Sequence, residues 1–147
     1  MISESNKKEL VGIGTKGEGY AKLLWPNLVL TGKFSKEDRS GIDGFLNKKT
    51  VQIKTDRPMI RTGNFFHQSR HFSDSGIWKD HKEAIDSYIF ITWNKEKISA
   101  IKVPKTILDT LVKDMIEISF RPDSWGYLLN QEELPPKSYE KREITFQ

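Results

Sequence analysis

Four residues of this 147-residue chain could together hold a hard cation against a phosphate: Glu18, Asp43, Gln52 and Lys54. Gln52 and Lys54 are separated by one residue, the spacing that places both side chains on one face of an extended strand. If the run holding Asp43 pairs with the run holding Gln52, all three converge at one end of a sheet. Phosphodiester hydrolysis needs a cation that polarises a phosphoryl oxygen and acidifies the attacking water. Magnesium takes oxygen ligands, typically one or two carboxylates with water and substrate phosphate. Asp43 offers a carboxylate, Gln52 an amide oxygen, Ile53 its backbone carbonyl, and Glu18 a second carboxylate, directly or through water. Lys54 is a compact cation suited to stabilising the charge of a phosphorane or to orienting the attacking water. Simpler origins exist for each group. Alternation alone puts polar residues on the outer face of a half-buried strand, and a glutamate early in a helix is favoured by the helix dipole.

Composition limits the other chemistries. The chain has no cysteine, which removes disulfides, thiolate zinc sites and thiol nucleophiles. Its apolar runs are short strand-like pieces such as Tyr88 to Trp93, and the polar start Met1 to Glu9 lacks the apolar region of a signal peptide. The expectation is a soluble cytoplasmic protein that does not enter membranes. The 24 Lys+Arg against 20 Asp+Glu give a net charge of +4, compatible with a polyanionic partner but also ordinary for solubility. The length favours one domain, residues 1–147, with a core over about 16–112 and a C-terminal extension over 117–147.

The elements that must position the four residues follow from periodicity. KGEGYAKLLW, Lys16 to Trp25, has Tyr20, Leu23 and Leu24 at helical spacing and ends against Pro26. Asn27 to Gly32 reads as a short strand. Gly41 to Leu46 and Thr50 to Thr55 read as a hairpin turned at Asn47, Lys48 and Lys49, with Val51 and Ile53 toward the core and Gln52 and Lys54 on the other face. Residues 56–82 read as a long polar loop with some helix around Phe65 to His71. YIFITW and Lys97 to Val103 form a strand pair across Asn94 to Glu96, and Pro104 starts a helix with Ile107, Leu108, Leu111 and Val112 as its apolar face. Glu117 to Gln147 reads as irregular structure with a terminal strand. Trp25 and Trp93 are expected in the core. These elements predict an α/β fold with a central mixed β-sheet flanked by helices.

GID at Gly41 to Asp43 followed by QIK at Gln52 to Lys54 resembles the PD-(D/E)XK nuclease superfamily, and more closely its Gln-variant branch. Glu18 in KGEGYAKLL resembles the acidic residue on the first core helix of that superfamily, and YIFITWNKEKISAIKVP resembles its later core strands. The resemblance spans roughly Lys16 to Leu111 and rests on four chemically specific positions. It implies a restriction-endonuclease-like core in which Asp43, Gln52, the Ile53 carbonyl and Glu18 hold Mg2+, with Mn2+ as a substitute, and Lys54 acts at the attacking water. It further implies a homodimer or higher homo-oligomer cutting double-stranded DNA, of restriction or homing type. Alternatives are a Holliday-junction resolvase and a catalytically inactive DNA-binding module with the same fold. Ile42 stands where the motif has proline. Gln52 stands where most members have an acid, which removes one negative charge from the metal site.

Basic residues flank the proposed site in sequence. Lys33, Lys36 and Arg39 precede it, and Arg57, Arg61 and Arg70 follow it. Beside a scissile phosphate they would serve as phosphate clamps or base readers; otherwise they are a solvated surface shared with Asp56, Asp74 and Asp80. His67 and His71 have the spacing of a helical ligand pair. Without a carboxylate between them, polar contact with DNA or solvent is favoured over metal binding for these and for His81.

Overall fold

Helix α1, Glu4–Leu24, leads into the fold. It begins before the apolar spacing that starts near Lys16, in a stretch where Lys and Glu are good helix formers. It stops at Leu24, ahead of Pro26, whose ring and missing N–H cannot continue it. The computed structural model describes residues 4–31, 41–72, 78–79, 85–122 and 124–146.

A six-stranded sheet lies under α1. Its strands are β1 Val29–Leu30, β2 Gly44–Leu46, β3 Lys49–Thr55, β6 Ser87–Trp93, β7 Lys97–Pro104 and β10 Glu140–Thr145, in spatial order β1-β2-β3-β6-β7-β10. Every neighbouring pair is antiparallel except β3 and β6, which run parallel. The β2–β3 hairpin turns at Asn47 and Lys48, both left-handed with φ of 52° and 68°. Such a two-residue turn matches the twist of the strands it joins. Strands β6 and β7 are buried on both faces over most of their length, and β6 accordingly carries the apolar run Tyr88 to Ile91. On one face Val51, Ile53, Ile89, Ile91, Ile98 and Ala100 pack under Ala21, Leu24 and Trp25 of the α1 layer.

The other face carries Tyr88, Phe90, Ile101 and Val103, and it is covered by a second sheet together with a helix. This sheet is antiparallel with the order β5-β4-β9-β8, built from β4 Asn64–Phe72, β5 Trp78–Lys79, β8 Ile118–Arg121 and β9 Ser124–Asn130. The helix, Lys105–Val112, starts at Pro104 as expected and buries Leu108 and Val112. A short helix, Met59–Thr62, links β3 to β4. The α/β class with a mixed sheet therefore holds, but one flank is formed largely by strands rather than helices.

Two expectations are corrected. Phe65 to His71 is strand β4, not helix, and residues 56–72 are ordered secondary structure rather than a long loop. Phe65, His67 and Ser69 are buried while Phe66, Gln68 and Arg70 between them are only partly so, a period of two that pairing with β9 converts into a ladder. Likewise the described part of residues 117–147 is no appendage. It supplies β8 and β9 to the second sheet and β10 to the edge of the first, and Tyr127, Leu129 and Leu134 belong to the core. Trp25 and Trp93 are core residues, and Trp25 Nε1 donates to Glu140 Oε1 at 2.8 Å, pinning β10 to the α1 layer. Among the described residues no helix is long and apolar enough to cross a membrane.

The β4–β9 contact is close at Gly126, where a Cβ would run into the His67 carbonyl oxygen and lie 2.9 Å from the Gln68 Cα. Both obstacles are backbone and cannot swing aside. Gly126→Ala is expected to destabilise the protein by about 1–3 kcal/mol, the usual cost of overpacking. Urea unfolding checks this, and an unchanged midpoint would contradict the packing described.

Candidate active site

Asp43 stands just outside β2, where the chain turns away from the hairpin. Its backbone N–H donates to the Val51 carbonyl at 2.9 Å and its carbonyl accepts from the Thr31 N–H at 2.9 Å. Its main-chain acceptor is thus directed to the β1 side, and the side chain takes over on the β3 side: Oδ2 accepts the Ile53 N–H at 2.7 Å. A charge-assisted bond of this kind fixes the carboxylate beside β3. The first residue of β2, Gly44, pairs with Val51 of β3. In an extended strand the N–H and C=O of one residue leave on the same side, so the Ile53 carbonyl points along the edge that Asp43 occupies. The hairpin register, continued by one step, sets Asp43 opposite Gln52.

Gln52 and Lys54 lie on the face turned toward the second sheet, in register with Tyr88 and Phe90 of β6. Gln52 is not the exposed strand residue that simple alternation would give, for it is only 7% exposed. Burying an amide that deeply is unfavourable unless polar partners meet it. Lys54 is partly buried, and its Nζ donates to Gln68 Oε1 at 3.2 Å; Gln68 Nε2 in turn donates to Ser124 Oγ at 2.8 Å. Gln68 is on β4 and Ser124 on β9, so a polar chain runs from the main sheet across the second.

A cavity of about 410 Å³ opens beside this chain, lined by Lys54, Asp56, Arg57, Asn64, Phe66, Gln68 and others. Asp56 follows β3 directly, and its Oδ2 accepts the Phe66 N–H at 2.7 Å. Burial pushes its carboxyl above the ordinary range, against the opposing pull of that hydrogen bond. The folded protein therefore keeps the Asp56 proton at a pH where the unfolded chain has lost it. The stability this confers is complete below the ordinary carboxylate range and disappears as pH rises through the elevated value. Asp56→Asn preserves an acceptor for Phe66 without the buried charge. The variant is expected to be more stable than the parent at neutral pH, with the difference closing in acid. Urea midpoints at the two pH values test this, and a less stable variant at neutral pH would refute it.

Glu18 is carried by α1 on the opposite layer. The neighbouring Gly17 packs so closely on Thr55 that a Cβ there would overlap the Thr55 hydroxyl. This contact brings the half-buried Glu18 to the C-terminal end of β3, from the far side of the sheet relative to Gln52 and Lys54. Asp43 thus sits beside Ile53, between the β3 positions of Gln52 and Lys54, whereas Glu18 belongs to the α1 layer on the other face of the sheet. Among the described residues no group of three His, Asp or Glu side chains converges, so the candidate ligand set depends on amide and carbonyl oxygens beside its carboxylates.

The basic residues separate into distinct settings. Arg57 is exposed at the cavity and lies 5.9 Å from the Trp93 ring centroid, while Arg61 is exposed in the last turn of the short helix. Arg70 is engaged within the protein, bridging Glu117 at 3.1 Å and lying over Trp125 at 5.3 Å. Lys33, Lys36, Arg39 and His81 fall outside the described residues. His67 is 1% exposed, with its ring edge-on to Tyr88 at 4.8 Å, so it is a core residue and the helical His67/His71 pair does not exist.

Asp56, Gln68 and Ser124 were not evident as site residues from the sequence. The alternation of Phe65, His67 and Ser69 with Phe66, Gln68 and Arg70 was the available signal for β4, and Trp125, Tyr127 and Leu129 carry a similar one for β9. Comparison with protein-family models, curated proteins and solved structures finds no match to this chain.

Proposed function

We propose that this protein is a metal-dependent DNA endonuclease with a restriction-endonuclease-like core. The observation that carries the reading is the Asp43 carboxylate fixed on the Ile53 N–H, on the strand whose next residues in either direction are Gln52 and Lys54. The resemblance of the GID and QIK segments to the PD-(D/E)XK superfamily supports it, as does the mixed sheet with a helix on one face.

The donor atoms suit a hard cation, since carboxylate, amide and carbonyl oxygens are what magnesium accepts. Asp43, Gln52 and the Ile53 carbonyl would hold Mg2+ or Mn2+, with Glu18 joining directly or through water. When bound, the ion would polarise the phosphoryl oxygen and make the attacking water more acidic. The chain's own contributions are separate. Asp43 sets the site against the edge of β3. Lys54 places a positive charge where the phosphorane charge develops and orients the attacking water. The exposed Arg57 and Arg61 contribute phosphate contacts that position the duplex.

Cutting both strands of a duplex calls for two sites, so a homodimer or higher assembly goes with this reading. The finer assignment is a site-specific enzyme of homing or restriction type. A cleavage screen on mixed genomic DNA, with magnesium and with manganese, tests the proposal and is expected to give discrete fragments. The buried, uncharged Gln52 favours one second reading, a DNA-binding module of the same fold without catalysis. Salt-dependent DNA binding with no cleavage under either metal would select it.

A further inference from the structure

We propose that Gln68 is a positioning residue that holds the Lys54 ammonium at the reacting phosphate; this rests on the endonuclease reading above. Lysine only donates hydrogen bonds, so the group facing Lys54 must be an acceptor. Gln68 presents Oε1 at 3.2 Å from Lys54 Nζ. Its amide is kept in that orientation by Nε2, which donates to Ser124 Oγ at 2.8 Å. Ser124 is 2% exposed, so this second bond is sheltered from water and resists rotation of the amide.

The backbone prepares the arrangement. The β4–β9 register shifts between Gln68 and Arg70, and irregularities of this type re-aim side chains and recur beside active sites. Opposite the shift, Gly126 lets the two strands approach. The amide is also electrically neutral. Gln68 therefore restrains the flexible lysine stem without itself adding a counter-charge.

Cleavage kinetics on a plasmid substrate with magnesium test the assignment, using the wild type, Gln68→Leu, Ser124→Ala, Lys54→Met and the Lys54→Met/Gln68→Leu double variant. Urea midpoints confirm that each is folded. Gln68→Leu is expected to lower kcat by about 10- to 100-fold, the scale of a misplaced catalytic group, with KM almost unchanged. Ser124→Ala alters little volume and loses about fivefold in kcat, the size of one neutral hydrogen bond. The double variant is expected to be no slower than Lys54→Met, because Gln68 acts through Lys54. Losses that multiply in the double variant, or a Gln68→Leu kcat equal to the wild-type value, would overturn the proposal while leaving the endonuclease reading in place. A wild type that does not cleave would remove both.

Discussion

Asp43→Asn is expected to abolish magnesium-dependent cleavage while leaving the protein folded. The asparagine side chain still offers an oxygen to the Ile53 N–H, which Asp43 Oδ2 now receives at 2.7 Å. The ladder substitute at the end of β2 therefore survives, and stability should fall by no more than about 1 kcal/mol, the difference between a charged and a neutral acceptor. What disappears is the charge of the carboxylate that the β2–β3 hairpin offers as a proposed ligand. Loss of an outer partner alone costs a metal site about 10- to 100-fold, so removing this ligand should cost at least about 100-fold in cleavage rate. Gln52 makes the effect larger, since the amide leaves Asp43 and Glu18 as the only negative charges proposed to attract the cation. Parallel urea unfolding and plasmid-nicking measurements separate the two contributions. A folded variant that cleaves at the wild-type rate would show that Asp43 has no part in catalysis, and an unfolded one would contradict the acceptor role argued for asparagine.

Lys54→Met should give the second large loss. Methionine fills much of the space of the lysine stem and removes the charge, so the packing beside Gln68 and Phe66 changes little. Removing a group that stabilises transition-state charge typically costs about 100- to 1,000-fold in kcat. KM should move little, because the phosphate contacts proposed for Arg57 and Arg61 remain. Combining Asp43→Asn with Lys54→Met should not multiply the losses, since residues that act as one unit are not additive. A Lys54→Met enzyme with normal kcat and raised KM would instead mark Lys54 as a binding residue.

The elements that bear the proposed chemistry were legible in the sequence because their signals are local. Pro26 ends α1, Val51 and Ile53 alternate with Gln52 and Lys54, and YIFITW is too apolar to lie anywhere but a buried strand. The second sheet was much less legible. Phe65 to Arg70 mixes aromatic, charged and polar residues, and its strand character depends on pairing with β9, more than fifty positions later. Local alternation can mark such a segment as a strand, but it cannot say which distant segment pairs with it. The same cause hid the polar chain from Lys54 through Gln68 to Ser124, whose members lie on three strands of two sheets. Gln52 was misjudged in degree. Alternation gives the face of a strand but not what covers it, and the second sheet turns that face into an interior.

Supercoiled plasmid incubated with wild-type protein and with Asp43→Asn, each with magnesium and with chelator, tests the central claim most directly. Endonuclease activity predicts nicked or linear product only for the wild type with magnesium. Cleavage that survives chelation or the Asp43→Asn change, or no cleavage by the wild type under any metal, would contradict it.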